Sequence, residues 1–250
     1  MKSPDKIAEF CVSVGEGKCK MSFLKTFVLA IFAGAFIALA AVACTIAGVV
    51  VNKFMGALIF VAGLSMVIIA GSELFTGNCL IFAAVLDKKV SFLSMLRNWG
   101  IVYIGNLCGA VFIAFLVVFS GCLDNFSDAV ITCAASKATI DFTDALIRGI
   151  LCNILVCIAV WMAFAAETVT GKIVAIIFPI TVFVLCGYEH SVANMFFIPA
   201  GLFQKMFKGI NVEGLNLFGF FVTNLIPVTL GNIIGGCLVA AGYKTAYLKK

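Results

Sequence analysis

The amino-acid sequence predicts an all-α membrane protein, with six transmembrane helices arranged as two inverted repeats of three and with helices 2 and 5 broken. Three observations predict it. Hydrophobic residues make up 63% of the chain and charged residues only 12%, at a mean hydropathy of +1.18, whereas soluble proteins are roughly half apolar and a quarter charged. The charges are distributed so that six long charge-free stretches remain. A polar segment of the form Gly-x-Glu, with Asn following, recurs once in each half.

The first element is an N-terminal cytoplasmic amphipathic segment, residues 1–25. Ser3 and Pro4 suit the start of a helix over residues 4–20, in which Ile7, Phe10, Cys11 and Val14 recur at helical spacing between Lys6, Glu9 and Glu16. Such a helix is expected to lie along the membrane face. Charges throughout residues 1–25 argue against a cleavable signal peptide. The charge-free stretches follow: Thr26 to Asn52, Phe54 to Ser72, Asn98 to Leu123, Gly149 to Ala166, Ile173 to Tyr188 and Gly214 to Tyr243. Each is near the length of about 20 residues that spans a bilayer. They define a transmembrane domain over 26–243, followed by a cytoplasmic tail at 244–250.

Two pairs of motifs relate the halves. Gly71-Ser72-Glu73-Leu74-Phe75-Thr76-Gly77-Asn78 matches Gly187-Tyr188-Glu189-His190-Ser191-Val192-Ala193-Asn194, and Gly105-Asn106-x-x-Gly109 matches Gly231-Asn232-x-x-Gly235. With three spans in each, the repeats, about 26–123 and 140–243, enter the membrane in opposite senses. The stretch from Phe54 to Leu86 would run to about 50 Å as one helix, against a hydrocarbon core of about 30 Å. It is therefore expected to break at Glu73 to Asn78, where glycines and polar side chains interrupt the apolar run. The fifth segment repeats this at Gly187 to Asn194 and is expected to end near Pro199. Irregular backbone at membrane depth is tolerated where it lines a cavity, so the breaks point to a transport site.

Basic residues orient the chain. With both termini cytoplasmic, Lys2, Lys6, Lys18, Lys20, Lys25, Lys88, Lys89, Arg97, Lys172, Lys244, Lys249 and Lys250 lie inside, and only Lys53, Lys137, Arg148, Lys205 and Lys208 outside. This satisfies the positive-inside bias. Topology thus accounts for the net charge of +5, and no nucleic-acid partner is implied. Of the 11 cysteines, Cys44, Cys79, Cys108, Cys152, Cys157, Cys186 and Cys237 lie in or beside spans and behave as small hydrophobes. Cys122 and Cys133 bracket the segment after the third span without a spacing that argues for a bridge. Neither a metal-ligand cluster nor a cofactor motif is present, so no metal or cofactor is expected.

His190, the one histidine of the chain, sits beside Glu189 in apolar sequence. An ionisable residue within a span costs about 2.5 kcal/mol or more unless it faces a cavity or a partner, and so marks a functional site by default.

The segments Ile69-Ala70-Gly71-Ser72-Glu73-Leu74-Phe75-Thr76-Gly77, Gly149-Ile150-Leu151-Cys152-Asn153-Ile154-Leu155-Val156-Cys157-Ile158-Ala159 and Gly187 to Phe196 resemble, in order, the signature segments of the formate/nitrite transporter family. The resemblance extends over essentially the whole chain. It implies an aquaporin-like protomer in the lipid bilayer, assembled as a homopentamer with one pore per protomer, in a bacterial inner membrane. Ala30, Gly34, Ala38 and Ala41 would permit close helix packing without specifying the number of subunits. Carried over by position, the resemblance makes Phe60, Val156 and Phe183 the outer constriction and Leu64, Leu74 and Phe75 the inner one. Phe60 and Leu64 also share a helix face, as do Asn153, Val156 and Cys157. Thr76 is expected opposite His190, with Asn153 and Asn194 as polar partners and Lys137 as an anion-attracting charge. Glu73 and Glu189 are expected to structure the two breaks through hydrogen bonds.

This constellation suits a small anion that is also a weak acid. A carboxylate entering an apolar constriction bears a desolvation cost that a proton or a hydrogen-bond donor reduces, and histidine is the side chain suited to supply either near neutral pH. Formate leads, because Asn194 to Gly201 looks most similar to the formate branch of the family; nitrite and hydrosulfide follow. A water or glycerol channel would carry paired Asn-Pro-Ala motifs, and an ammonium channel paired pore histidines, and the chain has neither. A membrane-embedded enzyme is the reading of a different class. It lacks a nucleophile, metal cluster or cofactor motif.

Overall fold

The computed structural model describes residues 1–248; Lys249 and Lys250, part of the basic tail, lie outside the described residues. Among the described residues five helices are long and apolar enough to cross a membrane: Phe23–Val50, Lys53–Ala70, Phe92–Phe119, Phe142–Ala165 and Gly219–Tyr247. The remaining expected span corresponds to Val169–Leu185, which is shorter at 17 residues.

In chain order, α1 (Pro4–Lys20), α2 (Phe23–Val50) and α3 (Lys53–Ala70) precede the first break; α4 (Phe75–Asn78), a 3-10 turn (Cys79–Ile81), α5 (Phe82–Leu86) and α6 (Phe92–Phe119) follow it. The second half contains α7 (Ser127–Ala138), α8 (Phe142–Ala165), α9 (Val169–Leu185), α10 (Ser191–Lys208), a π-helical turn (Gly219–Leu225) and α11 (Ile226–Tyr247). Local chemistry sets many starts. Asn52 accepts from Met55 N, Asp141 from Thr143 N and Thr168 from Gly171 N, each satisfying an amide that a helix start leaves free.

Within the halves, α2 packs on α3 and α6, and α8 on α9 and α11; α3 on α9 and α10 on α6 join them. Glycine permits the closest approaches. A Cβ at Gly109 would fall on the Ile31 carbonyl of α2, and one at the equivalent Gly235 on the Ile150 carbonyl of α8. Tyr103 and Thr229, each two residues before the matching glycine-asparagine motif, bond to one another at 2.8 Å. Equivalent residues touch where a pseudo-two-fold axis passes.

Several expectations are corrected. The N-terminal helix does not simply lie along a membrane face: Ile7, Ala8, Cys11, Val12 and Gly15 are buried, and it packs on α5, the 3-10 turn and α8. Its apolar stripe finds a protein surface. The fifth segment does not end near Pro199. Helix α10 continues through that proline to Lys208 and stops at Gly209 with φ +62°. Helices α6 and α8 begin six or seven residues before their charge-free stretches, because Arg97 and Arg148 are accommodated in their second turns. Cys122 and Cys133 are both free thiols.

Candidate functional site

Equivalent glycines create the two breaks. Gly71 ends α3 with φ +74°, and Gly187 follows α9 with φ +71°, left-handed conformations that glycine adopts without a steric penalty. Beyond them, Ser72-Glu73-Leu74 and Tyr188-Glu189-His190 lead into α4 and α10.

One asparagine clamps each break. Asn106 Oδ1 accepts from Phe75 N at 2.9 Å, while its Nδ2 donates to the carbonyls of Ala30 and Glu73 at 2.7 and 2.9 Å. Asn232 Oδ1 accepts from Ser191 N at 2.9 Å, while its Nδ2 donates to the carbonyls of Gly149 and Glu189 at 2.8 and 2.9 Å. Both asparagines are fully buried. Away from water, irregular backbone needs every such partner, and each side chain satisfies three backbone groups at once.

His190 is the N-cap of α10. Its Nδ1 accepts from Ala193 N at 3.0 Å, so the neutral ring carries its proton on Nε2. Nε2 lies 3.0 Å from Thr76 Oγ1, and in this tautomer it donates while the threonine oxygen accepts. The Thr76 hydroxyl proton is then free for a further acceptor. Adding a second ring proton at Nδ1 would set it against the Ala193 N–H, which holds the ring in the neutral, donating form.

Each break also carries a lysine–glutamate pair. Lys137 Nζ lies 2.8 Å from Glu189 Oε1, and Asn194 Nδ2 bonds Glu189 Oε2 at 2.6 Å and Asn224 Oδ1 at 2.8 Å. Lys18 Nζ lies 2.6 Å from Glu73 Oε1, and Asn78 Nδ2 bonds Glu73 Oε2 at 2.7 Å and Asn98 Oδ1 at 2.9 Å. Asn224 and Asn98 in turn donate to the Lys137 and Lys18 carbonyls. Helix α1 therefore stands to the first break as α7 stands to the second. The glutamates are almost fully buried, the lysines only partly exposed.

Two cavities flank this centre. One, of about 190 Å³, is lined by Lys18, Leu64, Glu73, Leu74 and Asn78 on the α1 side. The other, of about 330 Å³, is lined by Lys53, Phe60, Lys137, Phe183, His190 and Asn194. Along α3, Lys53, Gly56 and Phe60 face the second, and Leu64 and Val67 the first, so the cavities lie toward opposite ends of that helix. In the wall of the second cavity Phe60 meets Phe183 edge-on at 5.7 Å, and Phe183 stacks on His190 at 5.8 Å.

The other expected residues are placed differently. Asn153 does not bond His190: its Nδ2 donates to the Thr76 and Asn232 carbonyls at 3.2 and 2.6 Å. Phe75 packs edge-on against Trp99 and Tyr103, and neither it nor Val156 lines a cavity. Thr76 is fully buried and lines neither cavity. Sequence reasoning missed Lys18, Asn98, Asn224 and the clamping role of Asn106 and Asn232, although the repeated Gly-Asn-x-x-Gly motif pointed to the clamps.

A family profile described as Formate/nitrite transporter matches residues 5–246. A protein of Methanothermobacter thermautotrophicus named "probable formate transporter" is 41% identical, covering 100% of this chain and 98% of its own length. The solved structure of an FNT family ion channel superposes with a TM-score of 0.88 at 31% identity, covering 98% of this chain and 99% of its own. A pentameric formate channel with formate bound gives a TM-score of 0.78 at 36% identity, with coverage of 91% and 98%.

Proposed function

The chain belongs to the formate/nitrite transporter family, and from that premise we propose that it is a homopentameric formate channel with one pore in each protomer. A relative named for formate transport and a solved pentamer with formate bound support this. Nitrite and hydrosulfide are the alternative cargoes of the same pore. The observation that carries the reading is the contact of Thr76 with His190 between two cavities.

The anion enters the larger cavity, where Lys137 presents its ammonium and Glu189 lies behind the wall. The cavity meets the positive end of the pair. Passage between Phe60 and Phe183 strips water from the anion, and in that apolar slot an unpaired charge costs several kcal/mol or more. A hydrogen bond to an ionised group is worth roughly 1.5–3 kcal/mol, and the free Thr76 hydroxyl proton offers one. His190 holds the threonine oxygen, acting as a neutral donor in the relay, while the proton that neutralises the acid is taken up in the aqueous cavities. Val156 completes the outer constriction; Leu64, Leu74 and Phe75 form the inner one. Asn153, Asn194, Glu73 and Glu189 hold the breaks in shape.

In this reading residues 1–25 form the N-terminal cytoplasmic segment, 26–243 the channel domain, with its repeats at about 26–123 and 140–243, and 244–250 the tail. The basic residues favour cytoplasmic termini, and a bacterial inner membrane is the proposed location. Competitive flux of formate, nitrite, hydrosulfide and acetate into proteoliposomes at several pH values tests the assignment. Formate should permeate fastest, rising as pH falls. Exclusion of formate would refute it.

A further inference from the structure

The half-helix that carries Thr76 is irregular. Phe75–Asn78 make one α turn, Cys79–Ile81 a 3-10 turn, and the α form resumes at Phe82–Leu86. Its counterpart α10 runs for 18 residues. Irregular turns leave carbonyls poorly served by main-chain donors, and in an apolar interior each needs another.

Side chains supply them. Cys79 Sγ lies 3.6 Å from the Phe75 carbonyl oxygen, Trp99 Nε1 2.9 Å from that of Asn78, and Cys11 Sγ 3.9 Å from that of Leu80. The Thr76 carbonyl, which the Cys79 amide also reaches, receives two side-chain donors from successive turns of α8: Asn153 Nδ2 at 3.2 Å and Cys157 Sγ at 3.5 Å. Among the described residues no side chain donates to a carbonyl of Ser191 to Asn194. Thiols thus serve carbonyls of the distorted half-helix and, among the described residues, none of its counterpart.

We infer that Cys157 is a positioning residue for Thr76: with Asn153 it fixes the Thr76 peptide, and so directs the Thr76 hydroxyl at His190. The inference rests on the proposed role of Thr76. Cys157 is fully buried and free. It lines neither cavity, and its one side-chain hydrogen bond among the described residues goes to the threonine carbonyl. A thiol is a weak donor. Two donors at defined angles nevertheless remove a rotation that a single one permits.

Three variants separate donation from packing. Cys157→Ala and Cys157→Ser both shrink the side chain, but only serine can donate. In proteoliposomes Cys157→Ala should lower formate flux about three- to ten-fold, the size of one lost hydrogen bond, and should lower the formate-to-acetate permeability ratio. Cys157→Ser should stay within about two-fold of the parent on both measures. Equal flux in Cys157→Ala and parent, or an equal loss in serine and alanine, overturns the inference. If Cys157→Ala does not assemble, Cys157→Val, which keeps the bulk and lacks the donor, takes its place with the same outcomes. Thr76→Val in the same assay distinguishes the two levels. Unchanged flux there refutes the role of Thr76, whereas a loss there with none in Cys157→Ala refutes only the role of Cys157.

Discussion

Thr76 Oγ1 and His190 Nε2, 3.0 Å apart, join the two helix breaks by a side-chain hydrogen bond at the point where the two cavities approach each other. The repeat provides equivalent places for both residues, but fills them unequally: His190 matches Leu74, and Thr76 matches Val192. The framework is symmetric and its polar centre is not.

Thr76→Val tests the hydroxyl without changing the shape much. It leaves the His190 Nε2–H without its acceptor, at a cost of about 1–3 kcal/mol in stability, and removes the donor offered to the anion. Formate flux should fall by roughly ten-fold or more, the factor that 1.4 kcal/mol supplies, while Thr76→Ser should retain most of it. Flux assays paired with thermal unfolding of the solubilised protein measure both effects.

Lys137→Met strands the Glu189 carboxylate, whose side chain is 6% exposed. Removing one partner of such a buried pair costs about 3–5 kcal/mol. The double variant Lys137→Met/Glu189→Gln should recover much of that stability without recovering the rate of anion entry. Lys18→Met should cost less, since Lys18, at 23% exposed against 16% for Lys137, is the less buried of the two lysines. Unfolding temperatures of the four proteins check the order.

Asn232→Ala orphans the Ser191 amide and the Glu189 carbonyl together and removes the side-chain tie to the Gly149 carbonyl of α8. The expected loss is about 3 kcal/mol or more, at 1–3 kcal/mol for each orphaned buried group. Asn106→Ala should match it in the other half. Yield and melting temperature in detergent would expose a smaller effect.

Gly109→Ala and Gly235→Ala should behave alike, because each adds a methyl group against the main chain of the adjoining helix. Overpacking of this kind costs about 1–3 kcal/mol. Reduced assembly in both variants, measured by size-exclusion chromatography, is the expected outcome.

Much of this architecture is legible in the sequence because the bilayer is a demanding solvent. Charge-free runs, left-handed glycines at the breaks and an isolated histidine each have few alternative explanations in hydrocarbon. Repetition of Gly-x-Glu and Gly-Asn-x-x-Gly further indicates that both breaks share one construction. The role of Lys18 is not legible in that way. Its partner Glu73 is far along the chain, and an amphipathic helix looks the same whether its stripe meets lipid or protein. Asn153 is misread for a related reason, since a buried amide beside a pore can serve backbone carbonyls as well as cargo. The end of α10 is missed because Pro199 lies in a helix packed on α6 and α7, where the surroundings outweigh the usual preference of proline for helix ends.

The most direct measurement of the central claim is formate flux through His190→Asn in proteoliposomes between about pH 5 and 8, the range over which histidine chemistry operates. Asparagine is a good N-cap and can replace the bond to Ala193 N, but it is too short to hold Thr76 from that position. The protein should therefore fold, while formate flux should be lost or strongly reduced across the whole range, because the change removes a neutral donor that holds Thr76. A folded His190→Asn protein with the parent's flux and the parent's pH profile would contradict the account.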